Sequence, residues 1–143
     1  MTPRELEDRL IVFAVNIIRL SDGIKPSIGG KNLAEQIVRF SSSTALNYGE
    51  AQSAESGRDF VHKLGICLKE VRETFINLRI IDGAALHADQ QLINTLKAES
   101  NELILIFVKS IDTSKRKQAQ TSANKVLYHP KPIFNPKLLI SNR

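Results

Sequence analysis

The sequence predicts an all-α fold: an antiparallel up-down-up-down four-helix bundle followed by an extended, flexible basic C-terminal tail. Three observations predict it. Apolar residues recur at spacings of three and four in four separate stretches of the first 114 residues, and no run there alternates as a half-buried strand would. The stretches are of similar length and are joined by short breaks, which antiparallel neighbours require. The chain has 143 residues, enough for one domain with a real core. The expected division is a bundle over 1–114 and a tail over 115–143.

Residues 4–20 read as the first helix. Leu6, Leu10, Phe13, Ile17 and Leu20 form its stripe, Ile11, Ala14 and Ile18 widen it, and Pro3 suits the first turn. Ser21 to Gly30 carries three glycines and a proline and reads as a loop. A second helix is expected from about Gly29 or Lys31 to Gln52, with Leu33, Ile37, Phe40 and Thr44 on one face. Its run Ser41-Ser42-Ser43-Thr44 is poor in helix propensity, so close packing against a neighbouring helix is the expected reason for it. Ser56 is the candidate N-cap of the third helix, with Asp59 as the reciprocal acid. Phe60, Leu64, Cys67 or Leu68, Val71, Phe75 and Leu78 make that helix's stripe, and Asp82-Gly83 is its stop. The fourth helix is expected from about Asp89 to Ser114. Ile104, Leu105, Ile106 and Val108 make its middle apolar nearly all round, which suggests that its outer side meets another subunit. Helices of roughly 18–26 residues would be about 27–39 Å long.

Charge separates the body from the tail. From Thr113 onward there are seven basic residues and no acid, whereas the first 112 residues hold 13 bases and 15 acids. The whole excess of +5 therefore lies at the C-terminal end. Beyond Lys115 the apolar period fades, and prolines 130, 132 and 136 exclude a helix there. Two readings of this segment stand open: a solvated tail, or an arm whose apolar tip docks while Lys115, Arg116, Lys117, Lys125, Lys131 and Lys137 meet phosphates. No apolar run approaches the length that spans a bilayer, and the opening MTPRELEDRL lacks the pattern of a secretory leader. A cytoplasmic location is the expectation.

Catalysis finds little support. No histidine follows a glutamate by three, so the paired Glu-x-x-His of a di-metal bundle is missing. His62, His87 and His129 fall on separate segments without a second histidine at i+4. Cys67 reads as a small core residue, and Ser27 to Asn32 lacks the spacing of a phosphate loop. Neither a cofactor nor a metal is expected. One polar stripe remains: Gln36, Arg39, Ser43, Asn47 and Glu50 share a flank of the second helix, and Lys63, Glu70, Glu73 and Asn77 lie at compatible spacing on the third. Either the stripe is solvated or it is a structural network, with Gln36, Arg39, Asn47, Glu50, Glu70 and Glu73 as its members and Arg39 paired to Glu70 or Glu73.

These residues also carry a resemblance. Leu33-x-x-Gln36-x-x-Arg39 followed by small residues, Asn47-x-Gly49-Glu50-Ala51, Asp59-Phe60 and Lys69-Glu70-x-x-Glu73-Thr74 resemble the core of the four-helix bundle proteins related to the 23S rRNA intervening-sequence protein. The opening RLIVFAVNIIRL is similar to that family's first helix, so the likeness covers about residues 4–114. Where many members read Asn-Ile-Ala-Glu-Gly, this chain has Asn-Tyr-Gly-Glu-Ala. The resemblance implies subunits that assemble as homopentameric rings without catalytic residues. More distantly it points to the accessory variability determinant of diversity-generating retroelements, a basic pentamer that binds nucleic acid. The expected function is a non-enzymatic oligomeric scaffold that associates with RNA, or less readily DNA, through its basic tail. The alternative is an interaction module that holds a partner protein.

Overall fold

Each helix starts where a small polar side chain can take up a free N–H. The computed structural model describes residues 1–127, in which α1 spans Pro3–Asp22, α2 Ile28–Ala51, α3 Gly57–Gly83 and α4 Gln90–Leu127. The Thr2 hydroxyl accepts from the Glu5 amide at 3.1 Å, and the Glu5 carboxylate accepts from the Thr2 amide at 2.6 Å, a reciprocal cap with Pro3 in the first turn. Ser27 accepts from Gly30 and Ser56 from Asp59, each at 3.0 Å. Asp89 accepts from Leu92, also at 3.0 Å.

The fold is the all-α four-helix bundle that the sequence predicts, with no strand among the described residues. Helices α1 and α3 each pack against α2 and α4, and the α1–α4 seam is the thinnest of the four. Completely buried side chains come from every helix: Leu10 and Ile17, Ile37, Leu64 and Leu78, Leu103 and Phe107. Each such side chain contributes about 1.5–3 kcal/mol by leaving water. Tyr48 meets Phe107 edge-on at a centroid distance of 6.0 Å. The small polar run of α2 is packed as expected, with Ser41 and Thr44 fully buried. Ser42 donates to the Val38 carbonyl at 2.7 Å and Thr44 to that of Phe40 at 2.8 Å, so these hydroxyls are satisfied within their own helix. No helix among the described residues is long and apolar enough to cross a membrane.

Two boundaries differ from those read in the sequence, and a third is closed by a residue other than the one expected. The first loop is shorter than Ser21 to Gly30, because α2 already begins at Ile28. Gly30 sits inside the first turn, where a Cβ would lie 1.9 Å from the Lys25 carbonyl oxygen; the glycine serves that close approach. Helix α3 does end at Gly83, but the left-handed residue that turns the chain is Ala85, at φ 52°. The amide of Leu86 reaches back to the Ile81 carbonyl at 3.0 Å and that of Ala85 to Asp82 at 3.0 Å, closing a Schellman turn. The largest difference is at α4, which runs through Ser114 to Leu127. The apolar period fades at Lys115 because, among the described residues, only Gln118 beyond that point still packs on the bundle. The residues that follow (Lys115, Arg116, Lys117, Gln118, Ala119, Gln120) are nevertheless strong helix formers, and propensity carries the helix on. The expected extended tail therefore does not begin at 115. Its remaining part, with Tyr128, His129, Lys131, Phe134 and Lys137, lies outside the described residues.

Candidate nucleic-acid interface

The charge excess located in the sequence lands on a helix that leaves the bundle. Gln118 is the last half-buried residue of α4, lying over the start of α3 at Gly57, and every residue from Ala119 to Leu127 is exposed. At 1.5 Å per residue this bare segment extends about 13 Å beyond the bundle. Lys115, Arg116, Lys117 and Lys125 are all exposed, and no acid lies between Thr113 and Leu127. Successive residues turn by about 100°, so the four cations surround the helix as a collar and do not align on one face. Arg116 also reaches Asp112 one turn back at 3.1 Å, a pair exposed on both sides and so of little consequence for stability. A collar of exposed cations spread around a helix end suits attraction to a polyanion's backbone more than reading of base edges, which needs a shaped face.

The polar stripe of α2 and α3 comes together only in part. Asn47 donates to Glu70 at 3.0 Å across the α2–α3 seam, and Lys63 reaches Glu50 at 3.6 Å. Gln36 turns along its own helix to Asn32 at 3.2 Å. The expected ion pair of Arg39 with Glu70 or Glu73 does not form. Arg39 is exposed and lies over the Phe40 ring at 5.1 Å, while Glu70 and Glu73 border the same shallow depression. The reason is the placement of the two groups: Glu70 sits inside the seam against Asn47, out of reach of a guanidinium on the outer edge of α2. One Glu70 oxygen is buried without a partner, and burial raises its carboxyl above the ordinary value of 4.5, with the nearby Glu73 adding to the effect. The Asn47–Glu70 and Lys63–Glu50 contacts thus tie α2 to α3 across this seam.

Nucleophile and metal chemistry have no assembled site among the described residues. Cys67 is completely buried, donates to the Thr44 carbonyl at 3.6 Å, and burial pushes its thiol up to about 12. No three His, Cys, Asp or Glu side chains gather there as a metal would need. His62 is exposed on α3, and His87 accepts from the Asp89 amide at 3.0 Å in the α3–α4 connection.

The sequence reading missed one surface. Ile11, Val12, Val15 and Ile18 of α1 are 48%, 58%, 39% and 42% exposed, although Ile11 and Ile18 look like extensions of the core stripe. The signal was present: between Leu10 and Ile18 only Asn16 is polar, so α1 is as apolar all round as the middle of α4. In α4 itself Leu105 and Val108 are exposed, while Ile104 and Ile106 are half-buried.

Fold and surface together can now be set beside known structures. The chain resembles a protein of the S23 ribosomal protein family. That protein, of unknown function and from Bacteroides thetaiotaomicron VPI-5482, shares 27% identity with a TM-score of 0.67, over 78% of this chain and 99% of its own. No protein-family profile matches this chain, and no curated protein does. The likeness supports, loosely, the kinship read from residues 33–81, and it does not extend to the retroelement accessory determinant. Since the function of the solved protein is unknown, no activity comes with the likeness.

Proposed function

We propose that this chain is a non-enzymatic, self-assembling scaffold, a homopentameric ring, that holds nucleic acid through the basic end of α4, with RNA preferred over DNA. The observation that carries the reading is the collar itself: four exposed cations and no acid from Lys115 to Leu127, where α4 runs off the end of the bundle. A single collar binds a phosphate chain weakly. Several collars in one particle bind it strongly, because each later contact is intramolecular. The near-neutral bundle supplies the assembly, and the helix end supplies the charge. The preference for RNA and the pentameric count rest on the family resemblance.

The test is binding of single-stranded RNA and of duplex DNA by the full-length protein, followed by anisotropy across a salt series. The reading expects log affinity to fall linearly with log salt, and the slope to shrink by about one for each phosphate contact removed. Lys115→Gln, Lys117→Gln and Lys125→Gln together should flatten that slope with no change in thermal stability. Binding that ignores salt, or that survives the triple substitution unchanged, would refute it. One observation favours the second reading, a module for a partner protein: Val126 and Leu127, at the tip of the same helix, are 74% and 83% exposed. Recovery of a single protein partner after nuclease treatment, together with absent RNA binding, would decide for it.

A further inference from the structure

The end of the bundle where α4 departs is also where the thinnest seam opens. The first turns of α1 and the middle of α4 flank a cleft of about 450 Å³ there, and its apolar lining includes Leu6, Tyr48, Phe60 and Ile106. Clefts of about 300–1,000 Å³ are the ordinary size for a small ligand. On α4 the lining continues as Lys109, Ser110, Thr113 and Ser114, spaced as one helical face. Lys117 lies one turn beyond Thr113 on that face, so the stripe runs from the cleft into the collar.

Three properties of the lining specify what would fill it. The first is a set of unpaired hydroxyls. Ser110, Thr113 and Ser114 make no hydrogen bond among the described residues, whereas Ser100 and Thr121 of the same helix bond back to the Leu96 and Lys117 carbonyls at 2.8 and 2.9 Å. The second is charge. Lys109 is exposed and makes no ion pair among the described residues, and no acid among them lines the cleft. The acids closest in sequence are engaged: Glu5 accepts from the Thr2 amide, Glu7 lies against Gly49, Asp59 accepts from the Glu55 amide, and Asp112 pairs with Arg116. The third is an aromatic ring. Tyr48 is buried and met edge-on by Phe107, but the half-buried Phe60 has no aromatic partner among the described residues.

A planar ring with polar edges and an attached anion answers all three. We infer that the cleft is a slot for one unpaired base of a nucleic-acid strand, its ring on Phe60, its edge on the Ser110, Thr113 and Ser114 hydroxyls, and its flanking phosphates on Lys109 and Lys117. The inference rests on the nucleic-acid binding proposed above and names its substrate class, the single strand. That the occupant is part of a polymer follows from the collar. A lone amphipathic acid would need Lys109 only, whereas a strand also uses Lys117, about 12 Å further along the helix, and the cations beyond it.

The slot and the collar divide the work. The collar attracts any nucleic acid through its phosphates, paired or not. Stacking on Phe60 uses the face of a base, which every base has, so the slot is tolerant of sequence. A duplex keeps its bases stacked and paired, and it offers one to the slot only by breaking a pair. Selectivity for the single strand therefore comes from the cleft.

The chain has no tryptophan, so Phe60→Trp in the full-length protein places a single reporter in the slot. Oligouridine RNA should quench its emission, while inorganic polyphosphate of equal charge should bind and leave the emission unchanged. Phe60→Leu removes the ring and keeps the apolar bulk. It should weaken oligouridine binding at least about fivefold, with polyphosphate affinity and helix content by circular dichroism unchanged. Emission that RNA leaves unaltered while it binds would mean that a second copy or the chain's own end covers the cleft, and would overturn the slot. Equal losses for RNA and polyphosphate, or no loss for either, would overturn it too. These results leave the collar standing, whereas wild-type protein that binds neither polyanion overturns collar and slot together. If Phe60→Leu costs helix content, Thr113→Ala/Ser114→Ala takes its place. About a threefold loss confined to RNA is then expected, and an unchanged RNA affinity would count against the slot.

Discussion

Two parts of one helix show what holds this protein together and what it has to spare. In the first part of α4, up to Gln118, the inward residues Ile93, Leu96, Leu103 and Phe107 are buried almost completely. In the last nine residues nothing is buried, yet the helix continues without a break. The first part is helical because it is packed, and its propensity matters little. The second is helical by propensity and by continuity with the first, since an isolated helix of that length would be marginal. Packing thus builds the bundle, while the unpacked end carries Lys125 and no acid.

The widest separation between the two parts is expected from truncating side chains. Phe107→Ala should cost about 3–5 kcal/mol, since it removes a buried ring and leaves Tyr48 facing a cavity. Leu127→Ala should lie within about 0.5 kcal/mol of wild type. Denaturant unfolding monitored by helix content measures both, and a large effect at Leu127 would mean that the helix end is packed after all.

Glu70 sharpens the comparison, because it places a charge in the packed region. Its native carboxyl holds a proton more tightly than the unfolded one, so the contribution of Glu70 to stability falls as pH rises past about 4.5. Glu70→Gln keeps an acceptor for Asn47 and removes the charge. At neutral pH it should be more stable than wild type, and below about pH 4.5, where both chains are neutral at this site, the gain should vanish. Thermal melts at the two pH values show it, and a gain that persists in acid would point to a cause other than charge.

The smallest effect belongs to the turn that sends α4 back along the bundle. Ala85 holds a left-handed conformation that glycine adopts freely. Ala85→Gly should therefore stabilise by about 0.5–1 kcal/mol, read as a higher melting temperature. A loss instead would mean that the alanine methyl has a packing role.

Much of this was legible in the residues, and the rest was hidden for reasons that can be stated. Ser56 with Asp59, and the period of Leu64, Cys67, Val71 and Leu78, defined α3 because capping and burial are local signals. The end of α4 was not legible, because the period that marks a helix exists only where there is something to pack against, and among the described residues nothing packs on α4 beyond Gln118. Ile11 and Ile18 were assigned to the core because a sequence shows how wide an apolar stripe is and not how much of it the neighbouring helices cover. The pairing of Arg39 failed for a related reason. Helical spacing put Arg39 and Glu70 on facing helices, but it could not show that one points into the seam and the other out of it. Of the candidate site, the excess of charge was legible; its support on a continuous helix through Leu127 was not.

The account's central claim is that the bundle assembles and the α4 ends hold nucleic acid. Light scattering with absorbance at 260 and 280 nm, on untagged full-length protein at low and high salt, tests it most directly. The account predicts a particle five times the 16.0-kDa chain, with co-purifying nucleic acid that high salt strips away while the protein mass stays constant. A single 16.0-kDa species with the absorbance of protein alone at both salts would contradict it.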